Sequence, residues 1–218
     1  MRKLRIRFQK LGRAAFISHL DTMRTLQRAI ARAGIDAKHT EGFNPHAYVS
    51  IALPLSLGYT SDCEFLDLVL MDEMTDDEVV ERLNRALPEG MVVVSAQTSV
   101  IKVKEIDSAT FQITMEYDAG VPAGASARIA AVFAQCPFMI LKKSKRGETE
   151  SDISGLIREI NLTEEKHRII GYARLAAGNS SLNPDYLTRA IRRYAPELMP
   201  YFVTYHRLAV FCADGKEF

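Results

Sequence analysis

Apolar and polar residues alternate with period two along Leu4–Phe8, LRIRF, which predicts a half-buried strand. From Ser18 the period lengthens. Ser18 is placed to cap a helix, Asp21 follows three residues on as a short capping box, and Gly34 supplies a stop, which predicts a helix over Ser18–Ala33. With successive side chains about 100° apart, Met23, Leu26, Ile30 and Ala33 share one arc while Asp21, Arg24, Arg28 and Arg32 gather roughly opposite. Val49–Leu53 and Glu64–Leu70 have strand character. Thr75 then caps a second helix with an acidic first turn, closed by Pro88-Glu89-Gly90, and Met91–Val94 is a further strand. The resulting order, βαββαβ, predicts a split-βαβ domain of ferredoxin-like type.

The second half permits the same order with one extra strand. Phe111–Tyr117, Phe138–Lys143, Ile157–Leu162, Ile169–Leu175 and Phe202–Phe211 have strand character. Helices are expected over Ala123–Gln135 and from Asn183-Pro184-Asp185 onward. The charged run KKSKRGETESD is expected to form a mobile hairpin tip. The expectation is therefore an α+β protein made of tandem ferredoxin-like (βαββαβ) domains with antiparallel sheets, over 1–104 and 105–218. No strong sequence repeat links the halves, so the duplication rests on element order.

A chain of 218 residues with 47% hydrophobic residues can bury a real core, and its length fits either one large domain or two small ones of about 100 residues each. Cys63, Cys136 and Cys212 form no C-x-x-C pair, which points to a reducing cytosol, and no signal peptide or membrane-length apolar run appears. The net charge of +1 conceals a segregation: residues 1–46 carry +7 and residues 47–106 carry −7, six of the latter acids falling between Asp72 and Glu81. Such asymmetry implies either a polyanionic partner or two blocks that neutralise each other in the fold.

Candidate chemistry concentrates between Phe16 and Gly58. Arg24, Arg28 and Arg32 at i, i+4, i+8 suit a track of phosphates, or else form a solvated face partly neutralised by Asp21. His19 in the first helical turn is a candidate proton donor or phosphate contact, or a helix-start histidine beside a structural Asp21. Gly42-Phe43-Asn44-Pro45-His46 has the chemistry of a rigid loop, which would hold Asn44 and His46 beside His19 and Arg24 in one pocket or serve as a structural turn. His19 and His46 are thus the catalytic candidates. Metal sites have little support, since His39 and His46 stand seven apart and no zinc motif occurs; Walker and G-x-G-x-x-G loops are absent too. In the second half, Gly178–Ser181 is a candidate anion turn ahead of a helix bearing Arg189, Arg192 and Arg193.

The runs SHLDTMRTLQRAIARAG, GFNPHAYVSIALPLSLG and CEFLDLVL resemble the radical SAM-linked protein family, bacterial domain of unknown function 2344; beyond residue 100 the likeness concentrates in IREINL and RLAAGNSSLNPDYL. The resemblance implies a companion of a B12-binding radical SAM protein, with Ser18, His19, Asp21, Arg24, Arg28, Gly42, Phe43, Asn44, Pro45, His46, Pro54, Gly58 and Glu64 as characteristic residues. Ala47 departs from the proline common there. The expectation is a cytoplasmic RNA-binding or substrate-presenting accessory module for tRNA or rRNA modification or processing, needing no cofactor of its own. Arg24, Arg28, Arg32, Asn44, His46, Arg189 and Arg192 are its expected nucleic-acid contacts, and Ser18, Asp21, Gly42, Pro45 and Glu64 its structural motif. A metal-independent endoribonuclease with a histidine acid/base, and a protein adaptor docking through the acidic helix Thr75–Leu87, are the alternatives.

Overall fold

The computed structural model describes residues 1–144 and 147–218, without the side chains of Lys143 and Ser144. The chain divides into two compact units, Met1–Glu105 and Ile106–Phe218. Among the described residues there are four α-helices, and the strand pairings within each unit are antiparallel, so the protein is mixed α+β.

In the first unit, β1 (Arg2–Lys10), α1 (His19–Arg32), β2 (Val49–Ala52), β3 (Thr60–Leu70), α2 (Asp76–Ala86) and β4 (Met91–Thr98) follow one another. The sheet runs β4-β1-β3-β2. Leu4, Ile6 and Phe8 of β1 are fully buried, as the alternation requires, and form one core with Leu26, Ala29 and Ile30 of α1 and Val79 and Leu83 of α2. The core face of α1 includes Thr22 and Ala29, and Met23 and Ala33 are only partly covered. Ser18 Oγ accepts from Asp21 N–H at 3.2 Å and donates to Asp21 Oδ2 at 2.7 Å, while Thr75 Oγ1 accepts from Glu78 N–H at 3.3 Å. Both helices therefore begin on a side-chain cap that satisfies an otherwise orphaned donor.

The polar positions of β1 are not all solvated. Arg5 is 3% exposed and donates through Nε and Nη2 to both carboxylate oxygens of Asp67, at 2.7 and 2.8 Å. Asp67 is its opposite number in the β1:β3 register. Arg2 pairs with Asp76 at 2.6 Å, and the Lys10 ammonium donates to the Ile17 carbonyl at 3.1 Å. Part of the basic block thus meets acids of the next block inside the fold.

The second unit runs β5 (Ile106–Glu116), α3 (Ala125–Phe133), β6 (Met139–Ser144), β7 (Gly147–Asp152), β8 (Ile157–Glu164), β9 (Arg168–Ala176), α4 (Asp185–Tyr194) and β10 (Phe202–Cys212). Its sheet is ordered β10-β5-β9-β8. The strand expected at Phe138–Lys143 does not join that sheet. It is one arm of a separate hairpin whose second arm, GETESD, has no apolar residue to betray it. Phe138 seats the hairpin: it is fully buried, its ring 6.2 Å from Phe133 and 5.8 Å from Tyr194. Tyr194 Oη donates to the Met139 carbonyl at 2.6 Å, and Arg193 pairs with Glu150 at 2.7 Å. Of the expected mobile tip, Lys145 and Arg146 lie outside the described residues.

One glycine in each unit allows a close approach of backbone to backbone. Gly90 (φ +86°) and Gly178 (φ +78°) would place a Cβ 2.5 Å from the Leu11 carbonyl oxygen and 2.4 Å from that of Ile106. Neither contact can relax through a flexible side chain. Gly90→Ala and Gly178→Ala should each cost about 1–3 kcal/mol in urea unfolding, whereas a substitution of exposed Ala31 on α1 to Ser should change it by under about 0.5 kcal/mol.

Candidate functional site

The segment between α1 and β2 folds back on itself. Lys38 N–H donates to the Val69 carbonyl of β3 at 2.8 Å, Tyr48 N–H to the Lys38 carbonyl at 2.7 Å, and Thr40 N–H to the His46 carbonyl at 2.8 Å. His39 and Ala47 form a bridge between these bonds. Residues 38–48 are thus a small hairpin stem rooted on β3, with Glu41–Pro45 as its exposed tip. Gly42 has φ +131° with open space around it, so it is needed for the turn and not for packing.

His46 is fixed within this tip. Its N–H donates to Thr40 Oγ1 at 3.2 Å, and its Nδ1 lies 3.1 Å from the Asn44 carbonyl oxygen. The Thr40 hydroxyl stands 3.3 Å from the same Nδ1, so two neighbours hold this edge of the ring while Nε2 has no hydrogen bond among the described residues. Asn44 therefore serves the loop through its backbone, and its side chain is not among the lining of the groove described next.

Between this hairpin and α1 lies a groove of about 310 Å³. Arg24, Gln27 and Arg28 line it from the helix, and His39, Pro45, His46 and Ala47 from the hairpin, over a floor that includes Ile30 and Ile35. Gln27 Nε2 donates to the Ala47 carbonyl at 3.2 Å and ties the two walls together. Arg24 is paired at 3.2 Å with Asp21, both well exposed. Arg28 is exposed and makes no hydrogen bond or salt bridge among the described residues. The hydrogen bonds from Ser18 and then Arg24 hold the Asp21 carboxyl below the usual carboxylate range.

The expected site is only partly assembled in this way. Arg24, Arg28, Pro45 and His46 converge. His19 and Asn44 do not line the groove, and Arg32 departs from the stripe: its Nη2 donates to the Ala86 carbonyl at the end of α2, at 2.6 Å, in a separate hollow shared with Arg82 and Arg85. Glu64 is buried on β3 opposite Phe8. In the second unit, Arg189 is paired with Asp185 at 2.6 Å and lies 5.1 Å over the Tyr186 ring. Arg192 is exposed without a hydrogen bond or salt bridge among the described residues. The Gly178 turn is shaped by close backbone packing, with Ala177 N–H donating to Asp107 and Leu182 N–H to Ala176. The acids of α2 are largely engaged: Asp76 with Arg2, Glu78 with Arg82 and Glu81 with Arg85. His39 and Gln27 were not expected in the site; the seven-residue spacing of His39 and His46, across a loop, was the only trace of the former.

A family model described as an uncharacterized protein conserved in bacteria (DUF2344) matches residues 3–184. No curated protein matches the chain. Among solved structures, an unknown protein from Galdieria sulphuraria is 12% identical over 94% of this chain and 96% of its own, at a TM-score of 0.27. A candidate glycine cleavage system transcriptional repressor is 10% identical over the same shares, at 0.24. Scores at this level carry no argument about fold or activity. Among the described residues, no helix is long and apolar enough to cross a membrane, and no group of three or more His, Cys, Asp or Glu is placed to hold a metal ion.

Ser18→Ala should lower stability by about 1 kcal/mol through loss of the cap and move the Asp21 titration upward in NMR. Because the folded-state pKa of Asp21 is depressed, its contribution is full above the unfolded-chain value and is lost as pH falls through the folded one. The variant should therefore lose less stability than the parent as pH falls below the ordinary carboxylate range, about 4.

Proposed function

We propose that this chain, which belongs to the uncharacterized bacterial family DUF2344, is an RNA-binding or substrate-presenting accessory module that works in the cytoplasm with a B12-binding radical SAM protein on tRNA or rRNA. One observation carries the RNA part: Arg24 and Arg28 meet Pro45 and His46 in an open groove, with Arg28 outside any salt bridge among the described residues. Guanidinium groups held one helical turn apart at the rim of a groove suit successive phosphates, which they contact by charge-assisted hydrogen bonds. The radical SAM partner is carried by sequence resemblance alone. The architecture is read as tandem ferredoxin-like domains, supported by the strand orders β4-β1-β3-β2 and β10-β5-β9-β8 within βαββαβ frames.

Affinity for an unstructured RNA, followed by anisotropy, should fall steeply with salt. Arg24→Ala plus Arg28→Ala should flatten the log–log slope by about 1.4, the share of two single-strand phosphate contacts. No binding at low salt, or a slope unchanged by the double substitution, would overturn the reading.

The position of His46, held through Nδ1 by Asn44 and Thr40 in the wall of the groove, favours a second reading, a metal-independent endoribonuclease in which Nε2 acts as general base. RNA cleavage by the purified protein that disappears in His46→Ala would establish it, and equal cleavage by both would dismiss it.

A further inference from the structure

Resting on the RNA reading, we propose that the hairpin selects unpaired nucleotides, with Phe43 as a stacking platform for a base and Tyr48 as a second ring on the same stem. Phe43 is completely exposed at the tip of a loop whose neighbours are fixed by hydrogen bonds. Water-exposed phenyl rings on a fixed tip bury nothing at home, so the ring's apolar faces are open to a flat partner. Tyr48, 55% exposed, lines a second hollow of about 310 Å³ with Lys38, His39, Thr40 and the acidic Glu41. The two hollows share His39, and cations stand on both flanks of the stem, Arg24 and Arg28 beside one and Lys38 with the Tyr48 ring in the other, while Phe43 stands exposed at the tip between the strands of the stem.

Interleaved rings and cations are the composition of a single-strand surface, in which bases stack on aromatic faces while the backbone follows positive charge. In a duplex the bases are stacked on each other and offer no free face to a ring. A protein pocket is a different occupant for an exposed phenylalanine, but the ring stands two residues from Pro45 and three from His46, both in the wall of a groove rimmed by Arg24 and Arg28. The surroundings favour a charged strand.

The measurement compares four ligands by anisotropy at one salt concentration: an unstructured decamer RNA, its duplex, an abasic decamer with the same phosphates, and heparin. The parent protein should bind the single strand at least about tenfold more tightly than the abasic strand, and Phe43→Ala should cut that difference by about tenfold, since one stacked base is worth that much, leaving only the share of Tyr48. Phe43→Tyr should restore it. The Arg24→Ala, Arg28→Ala protein should lose affinity for all four ligands. Since Phe43 makes no packing contact that burial would register, its removal should leave the melting temperature unchanged, which separates loss of a ring from loss of fold. If Phe43→Ala binds every ligand as the parent does while the arginine variant fails, the stacking inference is overturned and the RNA reading stands. If a co-purifying protein is lost with Phe43 while RNA binding is intact, the ring docks protein and the inference is equally overturned. If the parent binds no RNA at any salt, the underlying reading has failed.

Discussion

A guanidinium buried to 3% exposure in a strand cannot stay charged and unpaired, and the first unit is organised around the partner this demands. Arg5 takes both oxygens of Asp67, directly opposite on β3. A slip of one residue would face Arg5 with Leu66 or Leu68 and send Leu4, Ile6 and Phe8 to the wrong side of the sheet, so the ion pair and the hydrophobic alternation select the same register. That register places Val69 and Leu70 where Lys38 and Ala37 bind them, and Leu68 where Val49 pairs. Both ends of the loop that carries the groove are therefore set by the strand that Arg5 fixes.

The same constraint explains how a +7 block is distributed. Arg2 and Arg5 are matched to Asp76 and Asp67, and Lys10 to main-chain carbonyls, so those cations hold the unit together. Arg24 and Arg28 are left on the solvent side of α1, Arg24 beside its exposed partner Asp21. An ion pair between two well-exposed groups is weak and screened, so an incoming phosphate competes with Asp21 at small cost. The cations nearest the groove are those that the fold needs least.

Local chemistry made much of this legible. Ser18 and Thr75 announced their helices because a capping oxygen three residues before a free N–H is a short-range event, independent of what packs above it. The alternation Leu4, Ile6, Phe8 revealed its buried face for the same reason. What the sequence could not display is long-range. Arg5 looked like any other polar position of an alternating strand, since only the register with Asp67 makes its burial tolerable. The arginine stripe looked uniform, although Arg32 lies at the end of α1 where the Ala86 carbonyl of α2 is within reach. His39 entered the groove through a hairpin whose tip reads as a loop but whose paired residues are too few to show a strand period, and GETESD formed a strand without one apolar residue because its ribbon is anchored through Phe138.

The two units depart from their common element order at the same place, between the first helix and the second sheet strand. In the first unit that slot holds the stem 38–48, and in the second the hairpin β6–β7. The consequences for charge differ. The second hairpin is held to α4 by Arg193 and Glu150, and Arg189 is taken within its own helix by Asp185 and the Tyr186 ring, so of the α4 arginines Arg192 alone is without such a partner among the described residues. The first stem is held instead by backbone bonds to β3 and by the uncharged Gln27. Anchoring an insertion through main chain and amide leaves the neighbouring helix's arginines available, and that choice of fastening, more than the shared order of strands, is what makes the first unit the stronger candidate for recognising an anion.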